Sequence, residues 1–202
     1  MTDHDLPRQL ARTARFSTGA PEHIGVAAAG RLVTYLRDGA LWAFDPQNRS
    51  ERLIGRADGY SCARVGSRAV VMRGSELWTA DLVAGTLARF PVTAVEHVVI
   101  DPAGTRVAFV DDRTLRVIGI DGVDDRILAQ PESGDVSWGV PEFAARMSMQ
   151  RDTGVWWAPD GERLLAARVD ESPVPMYWLA DPAKPEIGDA RSGRTRTRCR
   201  VR

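Results

Sequence analysis

The fold is decided by the stretch Gly30-Arg31-Leu32-Val33, which is followed by Asp38-Gly39-Ala40-Leu41-Trp42-Ala43-Phe44-Asp45. The same order, an arginine with apolar residues and then an apolar run ending in aspartate, returns in 66–81, 104–121 and 161–181. The arginines of the four units, Arg31, Arg68, Arg106 and Arg163, lie 37, 38 and 57 residues apart. The first two spacings fit one four-stranded blade of a β-propeller, and the third fits a blade with about 19 extra residues.

Each unit also contains short β-branched and aromatic runs that are separated by turn residues. Predicted strands are 24–29, 32–36, 40–44, 51–54, 60–65, 69–72, 76–80, 86–90, 95–100, 106–110, 114–120, 125–129, 155–158, 163–168 and 175–180. Asp101-Pro102-Ala103-Gly104 and Ala158-Pro159-Asp160-Gly161 predict the same turn at the same place in two units. The sequence therefore predicts an all-β chain, a partial β-propeller of about four four-stranded blades with the fourth incomplete. A sandwich of short strands is the alternative, but it gives no reason for the repeat.

The extra residues form an insertion that runs from Pro131 to Val155. Its part from Pro141 to Gln150 predicts one short helix, with Pro141 in the first turn and Phe143, Met147 and Gln150 on one face. One interpretation is a loop helix that packs on a blade edge. The other is a segment that leans over the propeller mouth or toward another domain.

The 27 basic and 27 acidic residues balance, which excludes a globally basic or acidic surface. However, residues 191–202 hold six arginines and no acid. We expect a polar segment at 1–19, the propeller region at 20–186 and an arginine-rich disordered tail at 187–202. Two cysteines cannot form a disulfide framework, and the sequence has neither an apolar run long enough to span a membrane nor a signal peptide, so we expect a cytoplasmic protein.

Three stretches carry a specific resemblance: 137–143, 151–161 with Trp156-Trp157-Ala158-Pro159-Asp160-Gly161, and 168–175 with Val169-Asp170-Glu171-Ser172. From about 20 to 186 the chain resembles the N-terminal propeller of bacterial dipeptidyl-peptidase IV-like enzymes, in the prolyl oligopeptidase clan of serine peptidases. The resemblance implies an eight-bladed propeller that precedes an α/β-hydrolase domain with a Ser, Asp, His triad. It also implies that the propeller limits access, while an acidic pair on the inserted helix grips the free N-terminal amine of the substrate.

This sequence departs from the family at that acidic pair. Met147 and Ser148 occupy the two positions where the family has adjacent glutamates, and neither can carry charge. Glu142 remains as a weak candidate for amine binding, although a glutamate in a first helical turn also favours the helix dipole. After Pro185-Glu186 the pattern of the family stops, and we interpret the tail as translation past a frameshift or a premature end.

Catalytic and ligand motifs are missing from the sequence. No Gly-x-Ser-x-Gly elbow occurs, since in Gly134–Gly139 the first glycine lies one residue too far from Ser137, and His4, His23 and His97 all precede that serine. No Cys or His pair has metal-ligand spacing, and no phosphate-cradling pattern occurs, so we expect no cofactor. Turn chemistry explains the paired acids Asp111-Asp112 and Asp124-Asp125, and the repeat position of Trp42 and Trp78 indicates core packing.

The sequence thus predicts the substrate-gating propeller portion of a dipeptidyl-peptidase IV-like serine peptidase, without the catalytic domain and inactive alone. The alternative is a non-enzymatic, propeller-like interaction scaffold; a weaker one is nucleic-acid binding through the arginine tail. We expect a peptide as partner only in the full-length family context, no nucleic acid, no membrane, and self-association through exposed blade edges.

Overall fold

The computed structural model describes residues 5–13, 17, 19–93 and 96–174. A short helix, α1 (Leu6–Arg12), precedes the sheets and has no buried residue. Strands account for most of the remaining regular structure. Among the described residues, no helix is long and apolar enough to cross a membrane.

Three antiparallel four-stranded sheets follow one another along the chain, and in each the spatial order equals the chain order. Sheet 1 consists of β1 (Glu22–Ala27), β2 (Leu32–Arg37), β3 (Ala40–Asp45) and β4 (Ser50–Arg56). Sheet 2 consists of β5 (Gly59–Cys62), β6 (Arg68–Arg73), β7 (Glu76–Asp81) and β8 (Thr86–Thr93). Sheet 3 consists of β9 (Glu96–Ile100), β10 (Arg106–Asp111), β11 (Thr114–Gly119) and β12 (Arg126–Ala129).

The repeated aspartates set the turns between these strands. Asp45 Oδ1 accepts from the backbone N–H groups of Gln47 and Asn48 after β3, and Asp81 Oδ1 accepts in the same way from Val83 and Ala84 after β7. An aspartate that satisfies the backbone of its own turn favours a hairpin at that position. The ends of the Leu-Trp-x-x-Asp motifs therefore coincide with the ends of strands.

The predicted twin turns are confirmed. The N–H of Gly104 donates to the carbonyl of Asp101 at 3.1 Å, and that of Gly161 donates to Ala158 at 2.8 Å. Both glycines adopt positive φ, at 80° and 73°, which glycine reaches without a Cβ clash. Each turn thus leads into the second strand of its sheet.

Four shorter strands form two two-stranded pairs, which we together call the fourth sheet: β13 (Val136–Trp138), β14 (Val155–Trp157), β15 (Leu164–Ala166) and β16 (Arg168–Asp170). β13 pairs with β16 and β14 pairs with β15, both antiparallel. At the junction Ala167 donates to Gly154 O at 2.7 Å and accepts from Gly139 N–H at 2.8 Å. Because both backbone groups of one strand residue point to the same edge, β13 and β14 together form one interrupted strand along β15 and β16.

This pairing corrects the predicted limits of the insertion. The sequence predicts an insertion from 131 to 155, whereas residues 136–139 and 154–157 belong to the sheet, and only 140–153 leave it. The inserted segment carries helix α2 (Phe143–Met149). Pro141 does not occupy the first turn as predicted, because Glu142 is the N-cap and Pro141 precedes it.

Three apolar cores lie between successive sheets. Sheets 1 and 2 enclose a core that includes Leu41, Ile54 and Val71. Sheets 2 and 3 enclose a second, with Leu77, Phe90 and Phe109, and sheet 3 and the fourth sheet a third, around Leu115 and Val155. The first strands of successive sheets are also in contact: β5 lies against β1 and β9, and β14 lies against β9. This radial stacking of sheets is a partial β-propeller, as the repeat predicts.

Several predictions fall outside the described residues: the strand at 175–180, the arginine-rich tail at 187–202 and His4. The boundaries predicted for the three regions, the cytoplasmic location and the absence of a nucleic-acid partner stay predictions.

Candidate functional site

The segment 140–153 leaves the fourth sheet and returns to it at a single point. The N–H of Gly154 donates to Gly139 O at 3.2 Å, so the two ends of the segment are in direct contact. A Cβ on Gly154 would lie 2.7 Å from the carbonyl carbon of Val140 and 2.8 Å from that of Gly139, and Gly139 adopts a φ of 75°. Glycine is therefore required on both sides of the junction, because a side chain would push the two backbones apart.

Helix α2 is fixed at both ends by local hydrogen bonds. The Glu142 carboxylate caps it, because Oε1 accepts from the backbone N–H of Ala145 at 2.9 Å. At the other end Gln150 adopts a left-handed φ of 51°, and Arg151 N–H donates to Ala145 O at 3.1 Å. Ala145 is the buried residue of the helix. A helix of two turns gains most of its order from such caps and contacts.

His97 holds the returning part of the segment. Its ring Nδ1 lies 2.6 Å from the carbonyl oxygen of Asp152, and its side chain is buried. Among the described residues Nε2 has no hydrogen-bond partner, and it lies 3.8 Å from Glu96 Oε2. The sequence predicts a strand histidine here, and His97 does belong to β9. Its anchoring contact joins residues 55 apart, so no local pattern could reveal it.

The structure places the predicted amine-binding positions on the outer surface of α2. Met147 is 66% exposed, Ser148 is also exposed, and neither position offers a carboxylate. Glu142 lies at the opposite end of the helix and already accepts a hydrogen bond from it. The three residues thus share one helix but do not converge on one point.

The face of α2 on which the sequence places Phe143, Met147 and Gln150 is exposed in the structure. Phe143 is 58% exposed and Met147 and Gln150 are exposed as well, while the small Ala145 makes the buried contact. The spacing of these side chains is as predicted, but the helix turns them outward. α2 therefore presents an apolar surface instead of covering one.

A groove of about 580 Å³ lies beside α2, within the range of about 300–1,000 Å³ that is typical of ligand sites. Its walls are the start of α2, the ring of Trp156 and the backbone and side chains of 167–171. The Arg151 guanidinium lies 5.9 Å from the centre of the Trp156 ring. The groove thus combines an aromatic wall with charged rims.

The charges on the rim are fixed by their neighbours. Asp170 Oδ1 accepts from the hydroxyl and the N–H of Ser172, and these hydrogen bonds lower the pKa of its carboxyl. Arg168 contacts Glu132 at 3.3 Å, and this hydrogen-bonded contact raises the pKa of the guanidinium. Both groups stay charged at neutral pH, and because Arg168 Nη1 also lies 3.5 Å from Asp170 Oδ2, they form an ion pair on the rim of the groove.

Within the described residues the serines that resemble a nucleophile elbow lie in strands. Ser137 sits in the middle of β13 opposite Val169. Gly59-Tyr60-Ser61-Cys62-Ala63 is close to the elbow pattern too, but Ser61 lies in β5 and its Oγ accepts from Ile100 N–H at 3.1 Å. Burial raises the pKa of the Cys62 thiol, which disfavours a thiolate nucleophile. No group of three or more metal-ligating side chains comes together in the described part of the chain.

Comparisons with known proteins add a family and a fold. The model of the dipeptidyl peptidase IV (DPP IV) N-terminal region matches residues 74–193. The chain is similar to the crystal structure of Porphyromonas gingivalis dipeptidyl peptidase 4, with a TM-score of 0.65 and 16% identity over 84% of this chain and 28% of that chain.

Two further similar structures are lyases. An oligogalacturonate lyase in complex with manganese gives a TM-score of 0.53 at 14% identity, over 74% of this chain and 46% of that one. The oligogalacturonate lyase of Vibrio parahaemolyticus gives a TM-score of 0.51 at 14% identity, over the same shares. At these identities the matches show the fold alone, and the chain spans less than half the length of each of the three.

Proposed function

The chain belongs to the family of the dipeptidyl peptidase IV N-terminal region, and from this premise we propose that it is the substrate-gating propeller portion of a serine peptidase of that type. In this proposal the chain supplies blades and the inserted helix, and it does not cleave peptides by itself. Its partner is a peptide that is guided past α2 toward a catalytic domain.

The observation that carries the proposal is the way in which 140–153 is mounted. The segment starts and ends at one point of a paired strand, with Gly154 N–H on Gly139 O, and it is held from sheet 3 through His97. The sheet keeps its pairing across the break, so a helix can project without weakening the blade. A projecting helix beside a groove limits which peptides fit there, by size and by charge.

The absence of catalysis is supported by the sequence. None of the 202 residues forms a Gly-x-Ser-x-Gly elbow, and the three histidines lie at 4, 23 and 97. Ser61 and Ser137, which come nearest to that pattern, belong to strands in the described structure. A serine nucleophile needs a base within hydrogen-bond reach and an oxyanion hole.

The catalytic half of the proposal is tested with the purified chain and a chromogenic Xaa-Pro dipeptide. We expect no hydrolysis and no labelling by a serine-reactive fluorophosphonate probe, with a complete dipeptidyl peptidase as the positive control. Stoichiometric labelling of any serine, with turnover of the dipeptide, would overturn this half.

The gating half is tested by removing the inserted segment. Because Gly139 and Gly154 are in contact, residues 140–153 can be replaced by two glycines without stretching the strand. We expect the variant to keep its β-rich circular dichroism and to bind a fluorescent Ala-Pro-containing hexapeptide at least about tenfold more weakly. The matched control is Val123→Ser, an exposed residue in another loop. Unchanged peptide binding by the shortened chain would contradict gating by α2.

One observation favours the alternative, a non-enzymatic interaction scaffold. The outward apolar surface of α2, with Phe143 and Met147, suits the core of a protein–protein interface. The two functions differ in their ligand: a gate binds short peptides, whereas a scaffold binds a folded partner and ignores the hexapeptide.

A further inference from the structure

The inserted segment 140–153 is attached to the neighbouring sheet through one side chain. Among the described residues, the one hydrogen bond from this segment to another sheet joins Asp152 O and His97 Nδ1, which lie 2.6 Å apart. Its other hydrogen bonds stay within the segment and the strand ends that flank it. Pro141 and Ala145 are its buried residues. A segment with so little buried surface opens at a lower free energy than the sheets do, so its attachment depends on the histidine.

The contact between His97 and Asp152 fixes the position of one hydrogen on the imidazole ring. A carbonyl oxygen can only accept, so Nδ1 carries the hydrogen and donates it. The side chain is 6% exposed, and Nε2 is buried without a hydrogen-bond partner among the described residues. In the neutral ring Nε2 holds a lone pair, which costs less to bury than an N–H that has no acceptor. The geometry therefore fits the neutral ring with its hydrogen on Nδ1.

Protonation would add a second N–H and a positive charge to the buried ring. Glu96 Oε2 lies 3.8 Å from Nε2, which is beyond hydrogen-bond distance. The Glu96 side chain is 72% exposed, and an ion pair with an exposed carboxylate is weak. A buried charge with an unpartnered N–H costs more free energy than such a pair contributes. Protonation of His97 therefore disfavours the attached segment relative to a released one, in which water solvates the ring.

The other elements around His97 do not offset this cost. The titratable groups at the returning end of the segment and on the strands that contact β9 are Arg151, Asp152, Tyr60, Cys62, Asp111 and the arginines of β6 and β10. None of them hydrogen-bonds to the ring through its side chain in the described part of the chain, where Glu96 is the one carboxylate within 4 Å of a ring nitrogen. Burial raises the pKa of Tyr60 to about 12 and also raises the pKa of Cys62, so both stay neutral between pH 5 and 8.

We propose that His97 is a proton-sensitive latch, whose neutral ring holds segment 140–153 on sheet 3 and whose protonation releases it. A solvated histidine has a pKa of about 6.5, so the latch is closed above this pH and opens as the pH falls below it. Because the released form binds the proton better, each further pH unit shifts the equilibrium toward release by up to about tenfold. The consequence for peptides rests on the proposed function: release of the segment removes the α2 wall of the groove and weakens peptide binding.

The test is hydrogen–deuterium exchange of the full chain at pH 7.5 and pH 5.5, with each rate divided by the intrinsic rate at that pH. A solvated histidine gains most of its charge between these values, so the protection of amides 143–151 should fall about tenfold. The amides of sheets 1 and 2 are the internal reference and should keep their protection. Unchanged or increased protection of 143–151 at pH 5.5, or an equal fall in sheets 1 and 2, would overturn the latch.

Substitutions at position 97 separate the proton from the hydrogen bond. His97→Asn offers an amide N–H in place of Nδ1, cannot titrate, and tolerates the φ of 52° found here. It should keep the wild-type protection of 143–151 at pH 7.5 and lose the response to acid, whereas His97→Phe, without a donor, should lower the protection at both pH values. A response that persists in His97→Asn would contradict the proposal.

Two control variants exclude other titrating groups. His23→Asn changes a histidine in the first strand of sheet 1 that has a similar φ of 49°, and it should respond to acid like the wild type. Glu96→Gln should also keep the response, because the exposed carboxylate contributes little. Loss of the response in either variant would assign it to that residue instead of His97.

Peptide binding distinguishes failure of the latch from failure of the gate. The affinity for the Ala-Pro-containing hexapeptide should fall between pH 7.5 and pH 5.5 in the wild type and stay constant in His97→Asn. Acid-dependent exchange in 143–151 without any peptide binding would support the latch and contradict the gate. Peptide binding without an acid response in 143–151 would support the gate and contradict the latch.

Discussion

Sheets 1 to 3 and the fourth sheet all pack against a neighbouring sheet through an apolar core, but their strands are arranged differently. In the first three sheets four continuous strands pair in chain order, whereas the first strand of the fourth is assembled from β13 and β14. Yet Val155 beyond the break is fully buried in the third core, like its counterparts in the continuous sheets. Strand pairing, and not an unbroken chain, therefore maintains the blade. The segment 140–153 can leave the sheet without a loss of pairing.

The largest expected difference in the free energy of unfolding is between a substitution in a packed core and the same substitution on helix α2. Phe109→Ala removes a ring that is 1% exposed between sheets 2 and 3 and should lower the free energy of unfolding by about 3–5 kcal/mol. Phe143→Ala, the same change on the exposed surface of α2, should alter it by about 0.5 kcal/mol or less. Urea titrations of both variants make the comparison, and equal losses would show that α2 is part of the core.

The next largest loss of stability is expected from a substitution at the junction of the interrupted strand, where Gly139 and Gly154 are in contact. Gly154→Ala forces a methyl group against the backbone of Gly139 and Val140 and should destabilise the chain by about 1–3 kcal/mol. Gly134→Ala is the control, because nothing lies within 4 Å of its added Cβ. If thermal unfolding finds the two variants equally stable, the strand is not spliced at Gly139 and Gly154.

A smaller effect concerns charge on α2. Met147→Glu combined with Ser148→Glu should shift peptide binding toward a free N-terminal amine by about fivefold, since exposed ion pairs contribute up to about 1 kcal/mol. The variant Met147→Gln with Ser148→Gln has the same size without charge. Titrations with the free and the N-acetylated hexapeptide give the ratio of the two affinities for each variant. Equal ratios for the Glu and the Gln variants would show that these positions take no part in amine recognition.

The smallest effect is the pH dependence of a turn that the continuous sheets share. Hydrogen bonds from the Ala84 and Val83 N–H groups lower the pKa of Asp81 below its usual value of 3.8. A depressed folded pKa means that this stabilisation is present above the unfolded pKa and is lost as the pH falls through the folded one. Asp81→Asn should therefore lose less stability than the wild type between pH 5 and about pH 2. Urea titrations at pH 7 and at low pH measure the difference, and Asp112→Asn, in an exposed turn, is the matched control.

The repeated part of the fold could be predicted from the sequence because each unit carries its own local signals. Leucine, tryptophan and the closing aspartate of 41–45 and 77–81 mark a strand and its turn within five residues, and the structure confirms them as β3 and β7. The twin glycine turns at Gly104 and Gly161 are equally local. Period-two alternation and turn chemistry are sufficient where strand partners are neighbours in the chain.

The fourth sheet and the site could be predicted only in part. The three residues of β13 are too few to show a period, and their partners Arg168 to Asp170 lie about 30 residues away along the chain. The available signals were Gly139 and Gly154, whose spacing marks the ends of the insertion. The helix was predicted, but its orientation was not, because the contact of His97 with Asp152 is a tertiary one.

The most direct test of a gate at α2 is hydrogen–deuterium exchange of the chain with and without the bound Ala-Pro-containing hexapeptide. Slower exchange on binding is expected in 141–151 and 167–171, the two segments that contain most of the residues lining the groove, while the amides of sheets 1 and 2 stay unchanged. Protection confined to sheets 1 and 2, or no protection in 141–151 at a saturating peptide concentration, would contradict the gate.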